Sequence, residues 1–579
     1  RRQRQMCLRD SHFSSFNNPA YLYSVRNTRK VVEERDGSVK ASRWCAGCHD
    51  PVPFFSGAFN DPNYDDVNDP TSQAGITCTV CHAITEVGSI DNGIRTTKGN
   101  GDFVIDEPIQ YPFAFSENYL LQKVNELLIK AKPSFHKKTF LKPVHKTAEF
   151  CGTCHKVHLP RELTAYKDFL RGQNHYDSYL LSGVSGHGAR SFYYPDHAQT
   201  NCNECHMPAV ASNDFGARHN EALGELAVHD HFFPGANTAL PWWRGEDQWV
   251  EHAKKLLIDV TRVDIFGVRE EGTIDGTLIA PLGPEYPTLS AGKSYLIETV
   301  IRTTKMGHHL TQGTADSNEL WLEVLVTSGG KVIGGSGQIA DSGEVDPWSH
   351  FVNVFMLDKE GNRIATRNAE DIFVPLYNHQ IPPGAGQTVH FGLDLPEDLD
   401  APIEISLKLN FRKFDQGYVD YMNASFREGD REYRERGEPG TPNNLPVTVM
   451  AEDKITLGVR SRSGNVLQAD RVNRNLPELW QRWNDYGIGM LLAGKSQLKQ
   501  AAAAFRQVEQ LGRFDGAVNL ARVQFIEGDL NGATASLRRA SGMDPPPPPW
   551  TMAWLSGEVS RQQGLLEDAA ESFRAVLND

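Results

Sequence analysis

The sequence predicts a multidomain chain: a loop-rich, partly helical first segment over 1–250, an antiparallel β-sandwich over 255–460, and an α-helical repeat array over 476–579. Three observations carry this. Eight of the nine cysteines fall into four copies of one pattern, C-x-x-C-H, all within the first segment. From about residue 255 the apolar pattern changes to period two between Gly-, Pro- and Asp-rich turns. From about 476 it turns helical and repeats at spacings of 32 and 36 residues. The 579 residues suit three or four domains at roughly 150 each. A net charge of −14 excludes the basic face that nucleic acid requires. No run approaches the roughly 18 apolar residues of a spanning helix.

The first segment is organised by Cys45-Ala46-Gly47-Cys48-His49, Cys78-Thr79-Val80-Cys81-His82, Cys151-Gly152-Thr153-Cys154-His155 and Cys202-Asn203-Glu204-Cys205-His206. C-x-x-C-H is the attachment pattern of c-type haem. Two thiols reach the two vinyl groups on one porphyrin edge, and the next imidazole turns back onto the iron. Zinc half-sites and thioredoxin-like redox pairs also use C-x-x-C, but neither explains a histidine after every second cysteine. The reading is four covalently bound haem c groups, with Cys45, Cys48, Cys78, Cys81, Cys151, Cys154, Cys202 and Cys205 as attachment points. His49, His82, His155 and His206 are then the proximal ligands. Haem attachment of this kind takes place outside the cytoplasmic membrane, so the expected location is periplasmic, cell-surface or extracellular. Arg1–Gln5 precede no apolar stretch of an export signal, so the chain reads as mature or without its leading segment. Cys7 is left over.

The sixth position on each iron decides function. A second imidazole gives a six-coordinate iron that passes electrons, whereas an open position admits a substrate. Ten further histidines lie before residue 235: His12, His136, His145, His158, His175, His187, His197, His219, His229 and His231. That enrichment is expected if each haem needs a partner from elsewhere in the chain. Local context selects His12, His145, His175, His231 and, beyond the cluster, His308 as distal candidates, with His229 and His158 in reserve. Nothing singles out a catalytic residue.

Within the segment, Glu117–Lys132 has apolar residues at helical spacing and Pro133 at its end. In the second region Leu256–Val263, Ser294–Thr303, Glu319–Thr327, Phe351–Leu357, Thr388–Leu395 and Ile403–Asn410 read as strands. Their arrangement without intervening helices suggests a sandwich. In the third, Ala501…Phe505, Ala533…Leu537 and Ala569…Phe573 recur, with Gly489, Ala521 and Gly557 twelve residues upstream. Period and size pattern resemble the tetratricopeptide repeat, whose groove holds a partner segment. Pro545–Pro549 reads as a stiff loop.

The runs Gly75–His82, Cys151–His158 and Cys202–Pro208, followed by Gly307–Gly313, resemble the multihaem c-type cytochromes related to the electron acceptors of hydroxylamine oxidation. The resemblance covers roughly 1–330, and some relatives also carry tetratricopeptide repeats. Relatives have a further C-x-x-C-H upstream of the His12 element, where only Cys7 stands here. The resemblance implies electron transfer, and with the histidine surplus the expectation is a carrier with closely spaced, mostly bis-histidine haems rather than a catalyst. Redox-partner proteins are the expected partners, with self-association into a cytochrome filament or membership of a larger complex through the sandwich and repeats. The alternative is a multihaem oxidoreductase acting on a small nitrogen or sulfur compound at one five-coordinate haem.

Overall fold

The computed structural model describes residues 12, 16, 18–91, 94–166, 168–192, 195–214, 216–283, 285–313, 318–428, 430 and 443–578. Cys7 and Tyr193-Tyr194 lie outside them. The first segment opens on α1 (Pro19–Asp36). Asn18 caps it by accepting from Ala20 N, Pro19 starts it with a preset φ, and Gly37 ends it in the left-handed region. Short helices follow: α2 (Arg43–His49), α3 (Cys78–Ala83), α4 (Tyr119–Ala131), α5 (Pro133–Phe140), α6 (Ala148–His155) and α7 (Asn203–His206). Pro133 thus opens α5 as well as following α4. Small two- and three-stranded ladders join them. Buried apolar side chains are sparse around α3 and α6, where the clusters hold only three fully buried residues each.

The second region begins differently from its periodicity. Leu256–Val263 is not one strand: α8 (Asp247–Leu257) buries Val250, Ala253 and Leu257, Asp259 adopts φ 64°, and β1 (Thr261–Glu270) starts beyond it. The apolar residues of that run serve a helix end and a strand start, so a boundary near 250–255 cuts a continuous helix. The remaining strands are β2 (Leu278–Ile279), β3 (Thr288–Ser290), β4 (Ser294–Thr303), β5 (Glu319–Ser328), β6 (Lys331–Ser336), β7 (Gly386–Asp394), β8 (Ile403–Arg412) and β9 (Thr448–Arg460). One sheet runs β2-β1-β4-β7, and the other runs β3-β9-β8-β5-β6. They form a sandwich that is antiparallel except at β3–β9, which pair in parallel. Phe351–Leu357 gives only the short strand Val354–Leu357, in a separate three-stranded sheet.

Helix α9 (Gln416–Ala424) leaves the sandwich and packs Tyr418 and Met422 against Leu22 and Tyr23 of α1 in one cluster with Phe59 and Trp243. First segment and sandwich are therefore knitted together. The chain then crosses to the repeats on a linker held by Arg474, which binds Asp264 at 2.9 Å and also Asp453. Three helical pairs follow: α10 (Leu479–Leu492) with α11 (Leu498–Gln510), α12 (Phe514–Glu527) with α13 (Leu530–Ser541), and α14 (Pro549–Gln563) with α15 (Leu566–Asn578). The first pair shares the sandwich core: Ile488, Met490 and Phe505 cluster with Ile297 and Val389. A Cβ on Gly489 would lie 2.6 Å from Thr388 N, so α10 approaches β7 as closely as it does only because that position is glycine.

The repeats also hold the first segment. Arg522 of α12 donates to the carbonyls of Arg190 at 2.8 Å and Ser191 at 3.0 Å, and its guanidinium stands 4.6 Å from the Phe192 ring centroid. A stretch of this chain's own backbone therefore occupies part of the surface expected to hold a partner.

Candidate functional site

Each C-x-x-C-H run lies on a helical turn, where residues three apart share a face and the fourth lies one turn on. Both thiols and the imidazole consequently project to one side. Local caps start two of these turns: Thr77 Oγ1 accepts from Val80 N at 3.1 Å, and Thr147 Oγ1 from Phe150 N at 3.3 Å. At the fourth, Asn201 Oδ1 accepts from Asn203 N at 2.9 Å.

The four runs converge on the third. The neighbouring Cys48 thiol and burial push the Cys154 thiol up, and the neighbouring Cys202 thiol and burial do the same for Cys151. Gly101, at φ +77°, bridges the first and third runs: its N–H donates to Thr153 O at 2.8 Å, while its Cβ position lies 3.7 Å from Cys48 Sγ. The His155 ring stands 6.1 Å from that of His12 and 5.4 Å from that of His175, between centroids. Neighbouring runs are thus in contact although up to a hundred residues separate them in sequence.

Distances between the rings separate the candidates. Two imidazoles bound trans through Nε2 to one iron have centroids about 6.3 Å apart, from metal–nitrogen bonds of about 2 Å plus the half-width of each ring. His206 and His308 stand 6.3 Å apart, His82 and His231 6.2 Å, and His155 and His12 6.1 Å. His145 stands closer, 5.1 Å from His82, and His175 5.4 Å from His155, both edge-on as the His12–His155 pair also is. These rings are too close to share an iron with the histidine they touch. The Nε2 of His145 and the Nδ1 of His175 are buried with no hydrogen-bond partner.

Second contacts orient the paired rings. The Nδ1 of His82 lies 2.6 Å from Phe140 O, that of His206 2.8 Å from Pro234 O, that of His231 2.7 Å from His229 O, and that of His308 3.2 Å from His309 O. A carbonyl only accepts, so Nδ1 carries the proton and Nε2 keeps its lone pair, the arrangement metal-binding histidines use. Burial lowers His49 to about 4, His155 to about 3 and His308 to about 4, so each is neutral at physiological pH. The sparse apolar core, the convergent thiols and these separations fit four haem groups enclosed by the segment.

His49 is the exception. Among the described residues no second imidazole stands against it at such a distance. Its ring is stacked on Tyr21, with centroids 4.6 Å apart and planes 26° apart. The neighbouring Asp50 carboxyl, fully buried, is pushed up to about 7 by desolvation. Tyr21 escaped the sequence reading, although Asn18-Pro19 marks a helix start and so places Tyr21 in its first turn.

The reserve histidines His158 and His229 make hydrogen bonds of their own. His158 Nε2 lies 3.1 Å from Asn100 Nδ2, and the Asn100 amide also donates to His158 O. His229 Nδ1 bonds Met207 O at 2.6 Å within a ladder that pairs His229 with Ala209. Among the described residues no helix is long and apolar enough to cross a membrane.

No protein-family model and no curated protein matches the chain. A solved structure, the penta-heme cytochrome c552 from Thermochromatium tepidum, aligns at 15% identity over 71% of this chain and 83% of that one, with a TM-score of 0.38. Likeness at that level leaves the chemistry to be read from this chain's own residues.

Proposed function

We propose that the protein is an exported tetrahaem c-type cytochrome that transfers electrons through haems held at Cys45/Cys48, Cys78/Cys81, Cys151/Cys154 and Cys202/Cys205. The observation that carries the reading is the set of three imidazole pairs at 6.1–6.3 Å, each pairing a histidine that follows a C-x-x-C run with one from a distant segment. The bound groups would supply reversible one-electron chemistry at iron. The chain's own part is to orient Nε2 through the Nδ1 contacts, to exclude water by burial, and to bring neighbouring attachment runs into contact through the third. On this reading His82 with His231, His155 with His12 and His206 with His308 would hold three of the haem irons. His145 and His175 flank those sites. The C-terminal helical pairs act as repeats of the tetratricopeptide kind, and export follows from where such haems are attached. The test is mass spectrometry with optical and electron paramagnetic resonance spectra of the purified protein. Four covalent haems with three or more low-spin irons are expected, and an unmodified polypeptide mass would overturn the assignment.

One observation favours a second reading, in which the first haem is five-coordinate and binds a small nitrogen or sulfur compound: His49 stacks on Tyr21 and not across from an imidazole. A high-spin signal that shifts on adding nitrite or hydroxylamine would support it, and four low-spin irons would exclude it.

A further inference from the structure

Residues 111–132 form an arm that is closed on itself and apolar on its outside. The Tyr111 hydroxyl donates to Lys132 O at 2.6 Å and its ring meets Phe135 at 4.9 Å, so the two ends of the arm are clamped together. In the turn between them Phe113 adopts φ 68°, a region costly for a bulky side chain, yet its ring and that of Phe115 are 46% and 79% exposed. Asn118 then caps α4, its Oδ1 accepting from Leu120 N at 2.9 Å. None of the 13 residues of α4 is buried. Tyr119, Leu120 and Leu127 are 66%, 71% and 63% exposed, and Leu120, Val124, Leu127 and Ala131 recur at i, i+4, i+7 and i+11 on one face. The apolar period of this helix therefore does not serve the chain's own core.

Positive charge edges the same face. Lys123 and Lys130 adjoin the stripe on one flank, next to Tyr119. Lys123 is held by Glu126 at 2.7 Å, whereas Lys130 and, just past the helix, Lys132 are exposed. The stretch 117–146 carries seven lysines against two glutamates in a chain of net charge −14. Lysine stems lie along apolar surface while their ammonium groups reach outward.

We propose that this arm docks on an anionic lipid bilayer. Phe113, Phe115, Leu120, Val124 and Leu127 enter the boundary between headgroups and acyl chains, and the lysines meet the anionic headgroups. An apolar stripe edged by lysine and headed by aromatic rings is the composition of a helix that lies in such an interface. At about 20 Å, α4 is too short to cross a hydrocarbon layer of roughly 30 Å, so the contact is peripheral. The same surface repels the acidic remainder of the chain, so the arm leads the approach. A second copy of this chain is a poorer occupant. Its grooves beside α12 and at the start of α10 are lined by Arg190 and Arg522, and by Arg471, Arg474 and Arg482, walls that do not complement lysine. Beyond α4, Lys137 donates to Ala217 O at 2.6 Å and Lys142 to His82 O at 2.7 Å, so the arm is anchored at the second attachment run and docking brings that run toward the bilayer. The inference rests on no haem-ligand assignment, because vesicle binding reads it and spectra read those.

The test is co-sedimentation of the full holoprotein with vesicles of equal parts phosphatidylcholine and phosphatidylglycerol, and with pure phosphatidylcholine. Wild type should pellet with the anionic vesicles and far less with the neutral ones. Binding should weaken at about 1 M salt, where the Debye length falls to about 3 Å. Leu120→Asp/Leu127→Asp should lower partition roughly a hundredfold or more, and Lys130→Gln/Lys132→Gln roughly tenfold. Val332→Asp, at another exposed apolar position on β6, should bind as wild type does. All variants should keep the wild-type visible spectrum, and amide hydrogen exchange of 113–131 should slow on the anionic vesicles. A wild type that stays in the supernatant overturns the proposal, as does Leu120→Asp/Leu127→Asp pelleting like wild type, or equal binding to both vesicles. So does a wild type that ignores vesicles and instead grows in mass with concentration through Leu120 and Leu127, which would make a second copy the occupant.

Discussion

The ring of His206, in the loop-rich segment, lies parallel to that of His308, in a loop of the β-sandwich, with planes 11° apart and centroids 6.3 Å apart. Gly307 beside it lies against Tyr179 and Val184, where a Cβ would already be in van der Waals contact, so the sandwich carries this imidazole into the first segment's interior.

On the proposed ligation, replacing His308 should act on one haem. His308→Ala should convert one low-spin iron to a high-spin signal. His308→Met should keep it low-spin and raise one potential, since thioether ligation raises the potential relative to imidazole. Electron paramagnetic resonance and spectropotentiometry read both, and unchanged spectra in His308→Ala would remove His308 from the ligand set.

His231 and His229 separate ligation from support. His231→Ala should expose one iron to carbon monoxide in the reduced protein. His229→Ala should leave carbon monoxide binding as in wild type and cost about 1 kcal/mol of stability, from loss of the bond to Met207 O. Titration of the Soret band with carbon monoxide, beside a thermal melt, checks the pair.

Arg522 ties the repeats to the first segment. Arg522→Ala removes two bonds to backbone carbonyls and the contact with Phe192, for an expected loss of about 1–3 kcal/mol. Limited proteolysis should cut faster near residues 189–192, with the visible spectrum intact.

His350 gives the sandwich a pH dependence. Burial lowers it to about 4 in the folded chain, with the Gln387 amide at 3.1 Å and His379 stacked 5.1 Å away. An unfolded histidine titrates near 6.5. The unfolded chain therefore binds the extra proton between these values, and the contribution of His350, complete above pH 6.5, is lost as pH falls toward 4. Denaturant melts across this window should show a shallower loss in His350→Gln, and equal slopes would exclude His350 as the source.

Much of the architecture was readable because its causes are local. Ile403–Asn410 alternates and Ser294–Thr303 is rich in apolar and β-branched residues, so β4 matches its expected bounds and β8 extends only two residues further. The helical pairs follow the 32- and 36-residue repeat. Leu256–Val263 misled because a helix end and a strand start carry the same apolar residues, and the break between them is the left-handed Asp259. The parallel β3–β9 pair, and α9 packed on α1, involve segments far apart in sequence that no short window contains.

The site divides in the same way. Cys-x-x-Cys-His spacing is set within one helical turn, so the sequence alone places both thiols and the histidine beside them on one side of that turn. The far-side imidazole is a matter of which distant loop arrives within about 6 Å, and histidines of one composition differ only in that. Tertiary packing brought His12, His231 and His308 to such separations, held His145 and His175 nearer to theirs, and laid Tyr21 against His49. Short-range stereochemistry travels with the residues themselves, whereas approach across the fold depends on how every intervening element closes.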